Sequence, residues 1–537
     1  MIIGAGFAGL HMLHCLRGHG MSAQVFEAGG GVGGTWYWNR YPGARCDIES
    51  MQYSYAFSND LQQEWTWTER YAAQPEILRY ANHVADRLDL RRNISLNTRV
   101  TGAAFDEATG RWTVETEHGD RVSATFLIMA VGCLSAERVP DYRGLSGFKG
   151  GWYHTGAWPA EGVDFAGRRV AVVGTGSSGI QAIPIIAEQA SHLFVFQRTA
   201  NFSVPAHNGP LDPDYERAWK ANYDERRAQA RAMRNGILNP VNDRSALEAT
   251  DAEREYVYKA RWATGGLGFI VSFNDLVLNQ AANDTAADFV RARIRDKVRD
   301  PKVAETLLPR DHPIGTKRIC VDSGYYETFN RPNVTLVDLR ASPIQEITPT
   351  GIRTHHAEYA VDSIVFATGF DAMTGPLTRL PIRGCGGRLL ADKWADGPRT
   401  YLGLMTEGFA NLFMVTGPGS PSVLSNMMVS IEQHVEWIGE CLAFLRTHGL
   451  ERIEPTREAE DSWAAHVDEV AQQTLFPRAA SWYMGANIPG KPRVFMPYAG
   501  GVNVYRQICD ESAAAGYRGF AMAAGTSVSV TAKDATR

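Results

Sequence analysis

Short apolar runs along the chain end in glycine-rich turns, and a helical pattern follows each turn. Ile2–Ile3 leads into a turn at Gly4–Gly9 and then into apolar positions of helical spacing. Arg168–Val173 leads in the same way into a turn at Gly174–Gly179 and a helical pattern over Ile180–Gln189. Apolar runs of this kind are typical of strands that are buried on both faces of a parallel sheet. The pattern therefore predicts an α/β fold class with two strand–turn–helix units.

The first turn has the G-x-G-x-x-G spacing of a dinucleotide-binding site at Gly4, Gly6 and Gly9. The first glycine permits the tight turn, the second lets the backbone approach a pyrophosphate, and the third allows the helix to pack closely on the strand. The next predicted strand, Ser22–Phe26, ends in Glu27. A carboxylate at this position accepts hydrogen bonds from a ribose diol and repels a 2′-phosphate. This turn therefore predicts a dinucleotide without a 2′-phosphate.

The second turn repeats the spacing, but its next strand ends in a cation. The strand Leu193–Phe196 is followed by Arg198, which stands about where Glu27 stands in the first unit. A guanidinium there would bind a 2′-phosphate, although a solvated surface arginine remains the alternative. The asymmetry predicts FAD at the first turn and NADPH at the second. A protein that binds both can pass a hydride from the nicotinamide to the flavin.

An aromatic loop follows the first unit. Trp36, Tyr37, Trp38 and Tyr41 lie close together before Pro42-Gly43. Such flat apolar side chains need a partner to be buried against, and an isoalloxazine ring has the right shape. A plain aromatic loop is the alternative. We therefore expect this segment to form a wall of the flavin site.

Two longer patterns resemble those of type I Baeyer–Villiger monooxygenases. The first pattern is Gly33-Gly34-x-Trp36-x4-Tyr41-Pro42-Gly43-x3-Asp47. The second pattern is Phe148-x-Gly150-x3-His154-x3-Trp158-Pro159. Related N-oxygenating flavin monooxygenases have a similar second pattern, but it typically ends in Phe or Tyr instead of Trp-Pro. The resemblance covers nearly the whole chain and is closest to the phenylacetone and steroid monooxygenase branch.

The resemblance implies a reaction and two catalytic residues. The protein would use FAD, NADPH and O2 to insert one oxygen next to a ketone carbonyl through a C4a-peroxyflavin, giving an ester or a lactone. Arg318 would supply a fixed positive charge at the reacting oxygen, and Asp47 would orient Arg318; a plain ion pair is the alternative for these two residues. We expect His154 to have a structural or domain-movement role and not to transfer protons. N- or S-oxygenation is the alternative reaction within the flavin monooxygenases.

The resemblance also implies contact residues for each ligand. The residues expected to contact FAD are Gly4, Gly6, Phe7, Ala8, Gly9, Glu27, Gly34, Thr35, Trp36, Asp47, Tyr53, Val100 and Met427. The residues expected to contact NADPH are Gly174, Thr175, Gly176, Ser177, Ser178, Gly179, Arg198, Thr199, Lys317 and Trp482. The residues expected to line the substrate pocket are Ser422, Val423 and Leu424, with ordinary loop packing as their alternative. Small and apolar side chains at these last positions suit a small hydrophobic ketone.

The expected organisation is a dinucleotide-binding domain inserted into another. An FAD-binding domain would comprise residues 1–134 and 371–520, around an NADPH-binding domain at residues 135–370. Amphipathic patterns predict a helical insertion at about 205–310, and the small and polar residues 521–537 predict a disordered tail. Because only Met1–Ile3 precede the first turn, and a strand normally has about four to six residues, we expect the natural start to lie upstream.

Composition narrows the remaining classes. The 537 residues are 44% hydrophobic and 21% charged, which is typical of a globular protein, and a net charge of −5 gives no general attraction to nucleic acid or anionic membranes. Without a membrane-length apolar run or a signal peptide, we expect a cytoplasmic protein that is a monomer or a weak dimer. Seven scattered cysteines without a C-x-x-C pair favour reduced thiols.

Other classes fit the sequence less well. A pyridine nucleotide–disulfide reductase would need a redox cysteine pair beside the flavin, and the chain has no C-x-x-C pair. A catalytically inactive redox-sensing protein is disfavoured by the intact Arg318 and Asp47. His11 and His14 have helical spacing but no acidic or cysteine partner nearby, so we interpret them as ordinary helix positions and expect no metal site.

Overall fold

The computed structural model describes residues 1–524, and its strands form two five-stranded sheets and several smaller ones. The strands are β1 Ile2–Ile3, β2 Val25–Phe26, β3 Ile94–Ser95, β4 Val100–Asp106, β5 Arg111–Thr116, β6 Arg121–Ala124, β7 Leu127–Met129, β8 Gly151–His154, β9 Arg169–Val173, β10 His192–Gln197, β11 Ser203–Pro205, β12 Cys320–Asp322, β13 Val334–Asp338, β14 Ile344–Thr348, β15 Gly351–Thr354, β16 Glu358–Ala360, β17 Ser363–Phe366, β18 Ile382–Arg383, β19 Leu412–Met414, β20 Arg452–Pro455 and β21 Phe520–Ala523.

Helices connect and cover these strands. The α-helices are α1 Phe7–Gly18, α2 Thr35–Trp38, α3 Asn59–Glu64, α4 Gln74–Arg87, α5 Ser177–Gln189, α6 Pro213–Ala221, α7 Tyr223–Ala232, α8 Asp251–Thr264, α9 Gln280–Lys297, α10 Pro301–Leu307, α11 Tyr325–Thr328, α12 Gly375–Thr378, α13 Leu390–Lys393, α14 Met427–Thr447, α15 Arg457–Gln472 and α16 Val502–Ala514.

The two large sheets are nested in the chain. The first has the order β19-β7-β1-β2-β3 and the second has the order β13-β10-β9-β17-β8, with all strands parallel in both. Every strand of the second sheet lies between β7 and β19 in sequence. The chain therefore completes a second α/β unit before it returns to finish the first. The domain limits at 134/135 and 370/371 stay predictions.

The strands β1 and β2 of the first sheet have only two residues each. Ile2 pairs with Val25 and Ile128, and Ile3 pairs with Phe26 and Met129. Because β1 offers only these two residues, β2 is shorter than the predicted strand Ser22–Phe26. The two residues of β1 are nevertheless buried and hydrogen-bonded on both sides.

The two glycine turns are packed in the same way. Gly4 has a φ of +102°, and a Cβ atom there would lie 2.6 Å from the carbonyl oxygen of Ala130. Gly174 has a φ of +111°, and its Cβ atom would lie 2.4 Å from the carbonyl oxygen of Ala367. Any side chain would strain the backbone and collide with the residue that follows the neighbouring strand, β7 in the first sheet and β17 in the second. The first glycine of each turn is therefore fixed by the fold itself, before any ligand is considered.

Two segments outside the sheets bear on the predictions. Helices α6 to α10 lie between β11 and β12, within the region where the helical insertion was expected. The predicted tail does not begin at residue 521, because Ala521–Ala523 belong to β21, which pairs antiparallel with β20. Residues 525–537 lie outside the described part of the chain.

Residues 1–524 have neither a membrane-crossing helix nor a cluster of metal ligands. No helix in this range is long and apolar enough to cross a membrane. The same residues contain no group of three His, Cys, Asp or Glu side chains arranged to hold a metal ion. His11 and His14 both stack on Phe57 instead.

A buried carboxyl group lies where α7 and α14 meet the first α/β unit. Glu432 in α14 is only 3% exposed, and it accepts a hydrogen bond from the backbone N–H of Ala56. Arg227 in α7 is also buried and donates to Ser54 and to the backbone carbonyl of Gln52. Burial raises the pKa of Glu432 from 4.5 to about 7, although the charge of Arg227 acts in the opposite direction. The folded protein therefore favours the neutral form of this side chain.

We expect Glu432→Gln to stabilise the protein at alkaline pH. A raised pKa in the folded state stabilises the fold below pH 4.5, and this contribution is lost as the pH rises through about 7. The amide keeps an acceptor for Ala56 and removes a cost of roughly 3 kcal/mol at pH 8. The melting temperature of the variant should exceed that of the wild type at pH 8, and the difference should shrink towards pH 5. Glu440→Gln, two turns along α14 and exposed, is the matched control. A less stable Glu432→Gln at pH 8 would mean that attraction to Arg227 outweighs burial.

Candidate active site

A cavity of about 530 Å³ lies at the carboxyl end of the second sheet. Gly174, Thr199, Leu339 and Ala367 line it, and each of them follows a strand of that sheet. Ligands of open α/β sheets bind at this end, in the crevice outside the strands. The opposite wall comes from the aromatic loop and from the segment that precedes α14, so the cavity is shared by both units.

Arg318 and Asp47 face each other in this cavity. Nε of Arg318 lies 3.7 Å from Oδ2 of Asp47, and Nη1 donates to the backbone carbonyl of Val423 at 3.4 Å. Burial acts to lower the pKa of Arg318, but the charge of Asp47 raises it above its ordinary value. Since 27% of the Arg318 side chain stays exposed, its guanidinium is both held and available to a ligand. Arg318 therefore places a permanent positive charge at the cavity wall.

Asp47 is held from the side of the second unit. Gln181 in α5 donates from Nε2 to Oδ1 of Asp47 at 3.3 Å and to the backbone carbonyl of Arg45 at 3.1 Å. Its amide oxygen accepts the hydroxyl of Tyr41 at 2.8 Å. Burial raises the pKa of Asp47, whereas Arg318 and Gln181 act to lower it. Gln181 thus fixes the carboxylate in position, and its role was not expected from the sequence.

The aromatic loop forms a wall of the cavity, as a flat ligand requires. Trp36 in α2 donates from its indole N–H to the hydroxyl of Tyr53 at 3.1 Å, and both residues line the cavity. Thr35 and Met427, which begin α2 and α14, lie on the same wall. Tyr37 and Trp38 do not reach the cavity and contact each other edge to face.

The structure brings together most of the predicted NADPH residues and fewer of the predicted FAD residues. Those that line the cavity are Gly174, Thr175, Gly176, Ser177, Ser178, Arg198, Thr199, Lys317 and Trp482 from the NADPH set, Thr35, Trp36, Asp47, Tyr53 and Met427 from the FAD set, and Val423 from the substrate set. The predicted residues that do not line it are Gly4, Gly6, Phe7, Ala8, Gly9, Glu27, Gly34, Val100, Gly179, Ser422 and Leu424.

Packing explains several of these exceptions. Val100 begins β4, whose sheet partners are β5 and β18, away from the cavity. Gly179 packs against the backbone of Gly174. Ser422 is fully buried, and its hydroxyl contacts the sulfur of Cys133 at 3.7 Å.

Residues of the first glycine turn contact one another and Glu27. Glu27 accepts the backbone N–H groups of Ala5 at 2.8 Å and Gly29 at 2.7 Å, so its carboxylate braces the turn. Gly6 and Gly34 lie in close contact, because a Cβ atom on Gly34 would be 2.8 Å from Cα of Gly6. Each oxygen of Glu27 keeps capacity for a second hydrogen bond, which a ribose hydroxyl can supply.

His154 lies at the end of β8 and is 2% exposed. Its Nδ1 accepts the backbone N–H of Gly156 at 3.0 Å, and its ring packs edge to face on Phe370. Burial lowers its pKa, so the neutral form is favoured. It does not line the cavity, and its structural role stays a prediction.

Comparison with known proteins decides the family. A Baeyer–Villiger monooxygenase of Pseudooceanicola batsensis is 45% identical over 96% of this chain and 95% of its own length. Acetone monooxygenase (methyl acetate-forming) of Gordonia sp. (strain TY-5) is 42% identical over 97% of this chain and 98% of its own length. The solved structure of an oxidized steroid monooxygenase bound to NADP superimposes with a TM-score of 0.93 at 55% identity, covering 98% of this chain and 99% of that one.

The chain belongs to the Baeyer–Villiger monooxygenase family. Membership confirms the expected fold class and the expected reaction class, a flavin- and NADP-dependent monooxygenation. The family described as pyridine nucleotide-disulphide oxidoreductase also matches, over residues 1–266, which contain both glycine turns. The seven cysteines are all free in the described structure, so this match reflects the dinucleotide-binding folds and not a redox disulfide.

One relative carries out a different oxygenation. Phenazine N-monooxygenase of Lysobacter antibioticus is 43% identical over 97% of this chain and 96% of its own length. The same scaffold therefore also serves an enzyme named for oxygenation at nitrogen, and the alternative reaction needs a direct test.

Three features of this Baeyer–Villiger monooxygenase fit the two dinucleotides. Gly6 and Gly176 are the N-cap residues of α1 and α5 and provide no side-chain cap, so the first N–H groups of both helices are free for phosphates. The oxygens Oγ of Ser481 and Oδ1 of Asn487 are buried without a hydrogen-bond partner among residues 1–524, and both residues line the cavity. Lys317 and Arg198 add positive charge at one end. The cavity thus lacks the donors and anions that a dinucleotide supplies.

We expect Gly176→Ala and Gly174→Ala to fail in different ways. A Cβ atom on Gly176 meets nothing within 4 Å, and its φ of −83° suits any residue. Gly176→Ala should therefore melt like the wild type but raise KM for NADPH by roughly tenfold, since the new methyl group occupies the space that a pyrophosphate needs. Gly174→Ala should instead lower the melting temperature, because of its positive φ and the contact with Ala367. Thermal melts and NADPH oxidation kinetics measure both effects. An unchanged KM in a stable Gly176→Ala protein would contradict a phosphate at this turn.

Proposed function

We propose that the protein oxidises a small hydrophobic ketone to an ester or a lactone, with Arg318 as the catalytic cation and Asp47 as the residue that orients it. The observation that carries this proposal is the position of Arg318. Its guanidinium lies in a cavity that adjoins the aromatic loop and the second glycine turn, and its partners are Asp47 and a backbone carbonyl.

The charge of Arg318 has two tasks in this reaction. Bound FAD, once NADPH has reduced it, supplies the activated oxygen. A nucleophilic oxygen is anionic, and attack on a ketone turns the carbonyl oxygen into an oxyanion as well. A fixed guanidinium stabilises both negative charges, and it stays protonated at any working pH. Lysine would provide charge at a single point and without the planar fork of hydrogen-bond donors.

Asp47 and Gln181 act through Arg318. The carboxylate of Asp47 holds Nε of Arg318, so the two Nη groups remain for the ligand and for the carbonyl of Val423. Gln181 in turn holds Asp47 from α5, the helix that begins at the second glycine turn. One set of contacts, Arg318 to Asp47 to Gln181, therefore joins the catalytic cation to the helix at the proposed NADPH site. A catalytic group held in this way loses little free energy to reorganisation.

The cavity wall near Arg318 favours an apolar ketone. Val423, Met427, Leu134 and Ala372 contribute apolar surface there. Relatives named for acetone and for steroids mark a wide range of ketone sizes within the family. A dry wall also protects the activated oxygen from protons. A cytoplasmic location and a monomeric or weakly dimeric state remain predictions.

We expect Arg318→Ala to separate flavin reduction from oxygen transfer. The variant should bind FAD and be reduced by NADPH, but ester formation should fall by at least about a hundredfold, because the charge that stabilises the oxyanion is lost. Stopped-flow reduction under argon measures the first step, and mass analysis of products from a ketone panel measures the second. Arg318→Lys should recover only part of the activity, and Asp47→Asn should lower it less than Arg318→Ala.

Arg121→Ala is the control. This arginine is exposed and forms an ion pair with Glu115 on the four-stranded sheet of β4, β5, β6 and β18. Ester formation near the wild-type rate in Arg318→Ala would overturn the assignment. A wild-type protein that oxygenates amines or sulfides but leaves every ketone unchanged would favour the alternative reaction.

A further inference from the structure

A third cation lies beside the two that were expected to bind the NADPH phosphate. Arg138 belongs to the connection between β7 and β8, and it lines the same cavity as Arg198 and Lys317. Burial lowers the pKa of Arg138, and the nearby charge of Arg198 lowers it further. Burial and the charge of Arg198 also act to lower the pKa of Lys317. Three like charges therefore share one end of the cavity at a cost in free energy.

The protein itself does not neutralise this cluster. Within residues 1–524, none of Arg138, Arg198 and Lys317 forms an ion pair with a carboxylate. Asp311 acts to raise the pKa of Lys317. Asp311 is already bonded to His312 Nδ1 at 2.6 Å and to Arg340. The cluster lacks an anion, and a doubly charged phosphate would match it.

Aromatic and apolar side chains line the same cavity as the cations. These are Tyr142, Pro140, Leu339 and Phe196. The positive charges of Arg198 and Arg138 both act to lower the pKa of Tyr142, although burial raises it overall. A flat ring beside two cations suits an adenine that carries a phosphate on its ribose.

We propose that Arg138 is a specificity-determining residue that binds the 2′-phosphate of NADPH together with Arg198 and Lys317. This inference rests on the proposed use of NADPH and adds to it a residue outside the second α/β unit's own turn. Arg198 follows β10, and Lys317 lies directly before Arg318. Arg138 instead belongs to the connection between the two large sheets.

The backbone of Arg138 is bonded to the second connection between the sheets, which follows β17. Its backbone N–H donates to the carbonyl of Gly369 at 3.0 Å, and its own carbonyl accepts the hydroxyl of Thr368. Glu137 and Phe370 form an antiparallel bridge beside these bonds. Arg138 is therefore preorganised by its backbone, and a ligand need only order the outer part of its side chain.

The test measures binding and does not depend on turnover. FAD-loaded wild type, Arg138→Ala and Arg143→Ala are titrated calorimetrically with adenosine 2′,5′-bisphosphate and with 5′-AMP. Arg143 is the matched control, because it lies five residues along the same connection, is 85% exposed and pairs with Glu346. We expect Arg138→Ala to weaken the bisphosphate by about tenfold or more, the size of a lost charge-assisted hydrogen bond, and to leave 5′-AMP unchanged. Arg143→Ala should match the wild type for both ligands.

Each outcome decides the point. A wild type that prefers the bisphosphate, together with an Arg138→Ala protein that binds it equally well, overturns this inference alone. Equal weakening of both ligands also overturns it, since Arg138 would then serve the adenine or the fold and not the phosphate. A wild type without any preference for the bisphosphate overturns the use of NADPH itself, and this inference with it.

Discussion

The site depends on the burial of one guanidinium group. Arg318 meets Asp47 from the first part of the chain and the carbonyl of Val423 from the returning part, while Arg318 itself belongs to the inserted part. A buried charge without partners costs several kcal/mol, so all three parts must be assembled for Arg318 to be tolerated in this position. The same requirement places the charge where the two dinucleotide-binding units meet, which is where a hydride and then an oxygen have to be transferred.

The two glycine turns share their backbone geometry and differ in how their charges are satisfied. The carboxylate of Glu27 accepts two backbone N–H groups of its own turn, so a negative charge is held beside the first turn. Arg198 and Lys317 have no ion-pair partner in residues 1–524, so the second site gains free energy when an anion enters. A 2′-phosphate is thus favoured beside the second turn and disfavoured beside the first. The sequence difference between a glutamate and an arginine accounts for both effects.

The sequence predicted what local patterns encode. Glycine spacing and apolar runs predicted both turns and the two α/β units, and the family resemblance implied their nesting and the pairing of Arg318 with Asp47. Gln181 and Asn487 were missed because their hydrogen bonds join segments that are distant in sequence. Val100 and Ser422 were expected at ligands from the family resemblance; neither lines the cavity, and their ligand contacts stay predictions. No local signal carries such information, because it arises only when the two units meet.

The connections between the units are part of the site and not passive linkers. Asp371 and Met373 donate backbone hydrogen bonds to Ala136 and Cys133, so the two connections are fastened to each other. The loop that carries Trp482 is fastened to them in turn, through Asn487 to the carbonyl of Phe370 at 2.7 Å and through Lys491 to Asp371 at 2.6 Å. Any movement of one unit relative to the other therefore has to break these hydrogen bonds or carry the Trp482 loop with it.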